Sequence, residues 1–324
     1  MFKRLATAAA TAVLLAGGAA APALAQVALL PVAQAEQGAR NIAVATEVNG
    51  RVSQLIASLD QSEIERATSV ESYIAAIDGM APQLNSARRE LAEMRSRLRA
   101  LPKVGGENGP VQLRAMDQII EDSVLFVQRV DGMLAAYPEV ADGFRSNDRA
   151  KAERALGVLA GATMTLVDGQ ALMMRGRASL VGSDRSDYAH AEGIACLYDG
   201  MAAVMRLKLR LIEPPAAAEI VRTARTCVGD QVRSGRAALV REAANPSPRP
   251  TARALEVRLA EISGRVFTKM EEGGNLLEES LEVIKAGAGE DQVDAQMDRF
   301  IQFEMELSAL GAEQGRSLIG PTPG

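Results

Sequence analysis

The chain has 324 residues, with 36 basic and 41 acidic side chains and a formal net charge of −5 at pH 7. An acidic chain is a poor candidate for nucleic-acid binding, which normally requires a basic surface. Aromatic residues make up only 3% of the chain and tryptophan is absent, so a core must consist of Ala, Leu, Val, Ile and Met. Such side chains suit closely packed helices.

The first 25 residues have the three parts of a secretory signal peptide. Two basic residues precede an apolar run, Leu5–Ala21, and Ala23-Leu24-Ala25 is a small-x-small cleavage site. We expect a mature chain that begins at Gln26 and carries a net charge of −7, with cleavage before Glu36 as an alternative. The short signal peptide, the high Ala content and the excess of Arg (30) over Lys (6) indicate a Gram-negative bacterium. We therefore expect a periplasmic or secreted protein.

After cleavage, no stretch approaches the roughly 18 uninterrupted apolar residues of a membrane-spanning helix. We therefore expect no integral membrane segment in the mature chain, and a flexible C-terminal tail over 313–324 without a hydrophobic anchor. The apolar segment Ala155–Leu180 leaves two alternatives open: the wall of a ligand-binding crevice, or a pore-forming helix. Asp168 and Arg175 interrupt its apolar surface and disfavour the pore.

The dominant pattern downstream is helical periodicity interrupted by helix breakers. The clearest stripe has steps of three and four residues and contains Val70, Tyr73, Ile77, Met80, Leu84, Ala87, Leu91, Met94, Leu98 and Leu101. It keeps its phase across Pro82, which predicts one long helix with a kink at that proline. Ser62 and Glu65 match a capping box and predict an early start for this helix.

The same periodicity predicts an all-α fold, an elongated antiparallel bundle of about eight long helices. Pro110 starts the third helix, Tyr137-Pro138 ends it, and Gly182-Ser183-Asp184 ends the fourth and caps the fifth. The proline-rich stretch 245–250 is the best candidate boundary if the bundle, 26–324, is divided in two. The predicted helices span 37–59, 63–101, 110–136, 148–181, 185–212, 216–244, 251–286 and 290–312.

Cys196 and Cys227 are the only cysteines, and export favours a disulfide between them. At about 1.5 Å per residue, their heights on a hairpin that turns at 213–215 differ by roughly one helical turn. A redox-active pair would need two cysteines close in sequence beside a group that lowers a thiol pKa. We therefore expect a structural cross-link between the fifth and sixth helices, worth about 3 to 4 kcal/mol.

His190 is the only histidine and the first candidate for chemistry. Asp187, three residues earlier, lies on the same helix face. A di-metal carboxylate bundle requires Glu-x-x-His motifs on two helices, and a second histidine is missing. We therefore expect an exposed ion pair or hydrogen bond between Asp187 and His190.

No nucleophile elbow, zinc-protease motif, phosphate-binding loop or dinucleotide fingerprint occurs in the sequence. Methionine thioethers can bind Cu(I), but helix cores that are short of aromatic residues also use methionine as a filler. We predict no enzyme activity, no metal, no cofactor and no catalytic or cofactor-binding residue.

Charge is strongly polarised in the last third of the chain. Residues 206–269 contain 13 basic and 6 acidic side chains, whereas residues 271–313 contain 2 basic and 12 acidic ones. The acidic segments either pack against the basic sixth helix, or the charged faces bind an anionic envelope component or a basic partner. Both interpretations stay open at the level of sequence.

These observations predict an exported, non-catalytic helical bundle that acts in protein–protein or cell-envelope interaction. A homo-oligomer is compatible with this prediction, because helix faces buried against a partner look like those buried within the monomer. The alternative is a periplasmic helical bundle that binds a small ligand as a carrier or sensor.

Overall fold

The computed structural model describes residues 32–59, 62–67, 69–106, 109–146, 149–179, 181–246, 250–287 and 289–319. Within these ranges the chain is all-α, with eight long helices, one short helix and no strand, which confirms the predicted helical bundle. The predicted signal peptide, 1–25, lies outside the described residues. The helices are α1 Val32–Ala57, α2 Ser62–Arg66, α3 Val70–Arg99, α4 Val111–Arg145, α5 Arg149–Ala178, α6 Ser186–Lys208, α7 Pro214–Ala243, α8 Pro250–Lys285 and α9 Glu290–Ile319.

From α3 onward, consecutive helices pack on one another across short connections, and α6 lies at the centre. It contacts α5, α7, α8 and α9, and nearly all of its side chains are buried. Small residues allow these close approaches, since a Cβ atom on Gly193 or Gly200 would collide with Met270 or Leu277 of α8. α7 and α8 contribute to one core, because Val228 of α7 belongs to the same buried cluster as these α8 residues.

The apolar stripe predicted over 70–101 forms the buried face of α3, which runs unbroken through Pro82. The predicted start is wrong, because Ser62–Arg66 is a separate short helix. The capping box lies instead at Ser69, whose side chain accepts a hydrogen bond from the Ser72 backbone N–H while Ser72 Oγ accepts from the Ser69 N–H. Two of the four orphan N–H donors at the start of α3 are satisfied in this way.

The third predicted helix does not end at Tyr137-Pro138, and that prediction is wrong. α4 continues through Pro138 to Arg145. A proline inside a helix costs about 3 kcal/mol or more through a lost hydrogen bond and a clash. Val140 and Ala141 are fully buried and Tyr137 is nearly so, and their burial keeps the helix on the core beyond the proline.

The helix that carries His190 is capped by a distant residue rather than by the predicted Gly182-Ser183-Asp184. α6 begins at Ser186, and its N-cap residue, Arg185, makes no side-chain capping hydrogen bond. The Glu242 carboxylate at the end of α7 accepts from the Ser186 backbone N–H at 3.0 Å and from Ser186 Oγ at 2.6 Å. A carboxylate from another helix therefore satisfies this positive helix end.

At the C-terminus, α9 is helical to Ile319, past its predicted end at 312. The predicted flexible tail, 313–324, is thus helical in its first half. Residues 320–324 lie outside the described residues.

Candidate functional site

Cys196 and Cys227 form the predicted disulfide, which joins α6 to α7 with Cα atoms 6.1 Å apart. A Glu192 carboxylate oxygen lies within 4.8 Å of both sulfur atoms, an arrangement with the residue types of a metal site. Metal binding at cysteine requires a thiolate, and here the two sulfurs are bonded to each other. In the oxidised protein this group is a covalent cross-link.

His190 is not exposed, so the expected surface ion pair with Asp187 is wrong. Only 1% of His190 is accessible, and neither ring nitrogen has a hydrogen-bond partner within the described ranges. Burial, assisted by the positive charge of Arg177, lowers the pKa of His190 to about 4. The imidazole is therefore neutral at pH 7 and lies out of reach of an external substrate.

A buried ion pair lies close to this histidine. Arg177 of α5 donates from Nε to Asp122 of α4 at 3.0 Å, and the two side chains are 4% and 3% exposed. Gln118 donates a further hydrogen bond to the same carboxylate at 2.8 Å. Such a pair contributes little net stability against apolar residues of equal volume, but loss of one partner leaves a costly buried charge.

A second buried polar contact joins α6 to the C-terminal helix. The Tyr198 hydroxyl donates to Glu304 Oε1 at 2.7 Å, and both residues are 1% exposed. Burial raises the pKa of Glu304 to about 8, although the hydrogen bond from Tyr198 opposes this shift. Burial also raises the pKa of Tyr198. Glu304 is therefore mostly protonated at neutral pH.

We call Asp122, Arg177, His190, Tyr198 and Glu304 the buried polar cluster. Its members come from α4, α5, α6 and α9, so it links four helices across the core. Of these residues, the sequence pattern did not predict Asp122, Arg177, Tyr198 or Glu304. A signal existed for Glu304, which stands in the apolar stripe of α9 between Phe300 and Leu307.

Part of the polarised charge in the last third is paired between neighbouring helices. The pairs join α7 to α8 and α8 to α9, and α9 packs on α8 rather than on the basic α7. Exposed pairs of this kind are worth roughly 0 to 1 kcal/mol each. They are Arg225–Glu278 at 2.6 Å, Arg236–Glu271 at 2.7 Å, Lys269–Glu306 at 2.6 Å, Arg265–Glu313 at 2.5 Å and Arg299–Glu279.

The part of α5 from Leu156 to Ala178 carries little unpaired charge. The stretch Leu156–Ala178 contains three charged residues, and all of them pair with neighbouring helices. Asp168 accepts from Arg206 of α6 at 2.6 Å, Arg175 pairs with Asp199 of α6, and Arg177 pairs with Asp122. The charges of this stretch are therefore paired with other helices, whereas Lys151, Glu153 and Arg154 in the first turns of α5 are exposed.

The solvent side of α5 is correspondingly apolar and small. Leu172 is 64% exposed, Val158 is 49% exposed, and the exposed positions between them are Gly161 and Thr165. These residues lie within about 100° of one another on a helical wheel. We define the α5 outer face by Arg154, Gly157, Val158, Gly161, Thr165, Asp168 and Leu172.

A surface groove of about 290 Å³ lies beside this face, between α4 and α5. Ala162 and Thr165 form its α5 wall, and Leu125, which is 42% exposed, lies on the α4 wall. The remaining lining residues are Gln128, Arg129 and Gly132. The groove and the α5 outer face together form one weakly charged surface.

By length and composition, Leu156–Ala178 could cross a membrane, and it is the one such helix in the part of the chain that the structure describes. However, 56% of its most apolar window is buried against other helices. The core helix of a globular protein passes the same test, so this property alone is weak evidence for a membrane segment.

Comparisons with protein-family models, with curated proteins and with solved structures find no match to this chain.

Proposed function

We propose that the protein is an exported, non-catalytic helical bundle that acts in the periplasm or outside the cell by binding another protein through the α5 outer face. The exposed apolar residues on the solvent side of α5 carry this proposal. Covering Val158 and Leu172 with a partner removes apolar surface from water, which is favourable. The lack of charge between Val158 and Thr165 favours a protein over an anionic polymer, which would select basic side chains.

Two further observations support the non-catalytic and exported parts of the proposal. The single histidine is buried beyond the reach of a substrate, and an oxidised Cys196–Cys227 pair is typical of oxidising compartments. Mass spectrometry of protein from the native envelope tests export directly. A chain that begins at Gln26 supports the proposal, and an intact Met1 contradicts export.

Site-specific photo-cross-linking tests the binding surface. A photoreactive phenylalanine analogue replaces Thr165 on the α5 outer face, and the matched control replaces Thr226, which is exposed on α7. We expect a discrete protein adduct from position 165 and none from position 226 in cells that make the protein at its natural level. Equal yields at the two positions, or no adduct at 165, would contradict the proposal.

The groove is the specific observation that favours a second candidate function, the binding of a small ligand. Its volume is near the lower end for ligand pockets, and Arg129 beside Leu125 suits a small apolar carboxylate. Native mass spectrometry of protein from its own envelope fraction tests this candidate. A reproducible non-covalent mass that is lost in an Arg129→Leu variant would favour it over the protein-binding proposal.

A further inference from the structure

Two opposite charges on the α5 outer face lie at equal distances from Gly161. Arg154 precedes Gly161 by seven residues, and Asp168 follows it by seven. Because seven residues are close to two helical turns, these three residues lie along one line of the helix. Arg154 is exposed, and 40% of the Asp168 side chain remains exposed although it pairs with Arg206.

This spacing makes the face complementary to itself in the antiparallel direction. If a second α5 helix crosses the first at Gly161, each Arg154 lies opposite the Asp168 of the other helix. The two contacts are equivalent, as a two-fold axis requires. Between them the exposed positions of α5 are uncharged, so no like charges of the two α5 helices face each other.

We propose that the α5 outer face binds a second copy of this chain, through antiparallel packing of the two α5 helices about a two-fold axis at Gly161. This inference rests on the proposed function and names the partner of the same surface.

The groove fits this arrangement. In this dimer, Val158 of one copy lies at the same position along the helix axis as residue 164 of the other copy. Val158 is on the side of α5 that borders the groove, so it faces the groove side of the other α5. Ala162 and Thr165 form the wall of the groove at that height. Val158 of each copy therefore packs at the groove of the other, which covers both Val158 and Leu125.

Glycines on the face would let the two helices approach closely. A Cβ atom on Gly157 or Gly161 would meet nothing within 4 Å, so the monomer has no packing reason for glycine there. Glycine inside a helix is less favourable than alanine. Contact between two backbones is a reason for small residues at a helix crossing.

Sedimentation equilibrium of the mature chain, residues 26–324, tests the proposal. We expect a reversible dimer whose dissociation constant rises about tenfold or more in Val158→Glu, because the new charge is buried at the interface. The matched control is Val240→Glu on α7, where the valine is 72% exposed, and we expect no more than about a twofold change. A monomer up to about 100 µM, or equal effects of the two substitutions, overturns the proposal.

The glycine at the crossing gives a readout that a folding defect cannot imitate. Gly161→Ala is expected to raise the melting temperature of the dilute monomer while it weakens the dimer. Gly264→Ala on α8, which also faces open space, is expected to raise the melting temperature alone. A Gly161→Ala dimer as tight as the wild type contradicts packing at this residue.

Covalent trapping tests the antiparallel geometry. Residue 161 faces its own copy across the axis, so Gly161→Cys is expected to form a disulfide-linked dimer under mild oxidation, whereas Thr226→Cys on α7 is not. Equal cross-linking of the two variants overturns the geometry.

Failure of this inference is distinguishable from failure of the proposed function. In the photo-cross-linking experiment at Thr165, an adduct of twice the chain mass supports the second copy. An adduct of another mass, together with a monomer in sedimentation, overturns the inference and leaves the proposed function standing. If no adduct forms at Thr165, both proposals fall.

Discussion

At the scale of single residues, two buried titratable groups make stability depend on pH in opposite directions. Glu304 has a raised pKa in the folded chain and His190 a lowered one. Linkage relates each shift to a window of pH in which the folded and unfolded chains bind different numbers of protons. The pH window of Glu304 extends from 4.5 to about 8, and that of His190 extends from about 4 to 6.5. The two windows therefore overlap between pH 4.5 and 6.5.

We predict that Glu304 makes the protein less stable as pH rises. The unfolded carboxyl ionises near pH 4.5, whereas the folded one holds its proton to about pH 8. Its stabilising effect is therefore complete below pH 4.5 and is lost by about 1.4 kcal/mol per pH unit up to pH 8. Urea unfolding at pH 6.5, 7 and 7.5 is expected to show this slope in the wild type and not in Glu304→Gln. The control is Glu219→Gln, an exposed carboxylate on α7 that is expected to keep the slope.

We predict the opposite sign for His190. The unfolded imidazole gains a proton below pH 6.5, whereas the folded one stays neutral to about pH 4. Stability is therefore complete above pH 6.5 and falls as pH drops toward 4. Between pH 4.5 and 6.5 the two groups nearly cancel in the wild type, so His190→Leu is expected to expose the falling slope of Glu304 over this range. A wild-type profile that rises steeply there, or a flat profile in His190→Leu, contradicts the prediction.

At the scale of secondary-structure elements, the end of α6 contains a strained residue. Arg210 has φ of +57°, the left-handed conformation that usually requires glycine. The Leu211 N–H donates to the Arg206 carbonyl at 2.8 Å, and the Arg210 N–H donates to the Leu207 carbonyl at 2.9 Å. These two bonds form a Schellman motif, which closes the helix with a non-glycine residue in the glycine position.

We predict that Arg210→Gly stabilises the protein by about 1 kcal/mol, because it relieves the left-handed strain. Arg210→Ala is the matched control, since it removes the same side chain but keeps the Cβ atom that causes the strain. Thermal unfolding is expected to give a higher melting temperature for Arg210→Gly alone. Equal shifts in the two variants would assign the effect to the arginine side chain instead.

The sequence predicts the ends of a helix where residues close in sequence determine them. The stripe from Val70 to Leu101 identified α3 through its proline, because an apolar seam has to stay in phase to remain buried. At Pro138 the same kind of signal misled, since burial of residues beyond the proline outweighs its local cost. The start of α6 depends on Glu242, which is 56 residues away, and no local pattern contains that information.

At the scale of the whole molecule, the central position of α6 determines the order in which the structure opens. α6 packs against four other helices, whereas α9 packs against α8, α6 and α1 and forms the C-terminal edge of the described chain. A helix that is buried on nearly all sides cannot open without disrupting the core.

We predict that backbone amides in the centre of α6, from Ile194 to Met205, are the slowest to exchange with deuterium. Their exchange free energy is expected to equal the free energy of global unfolding from urea titration. Amides of α9 are expected to exchange through smaller openings and therefore faster. If α9 amides exchange as slowly as those of α6, the two helices unfold as one unit and the prediction is wrong.

The sequence by itself determined the helical class, the number of long helices, the buried face of α3 and the Cys196–Cys227 pairing. Each of these follows from local periodicity or from a pair of residues with no competitor. Only the tertiary structure decided the burial of His190 and Glu304, the cap on α6 and the pairing of Asp168, Arg175 and Arg177 with neighbouring helices. Periodicity shows which side of a helix is apolar, but the neighbouring helices determine whether a polar residue meets a partner, the core or water.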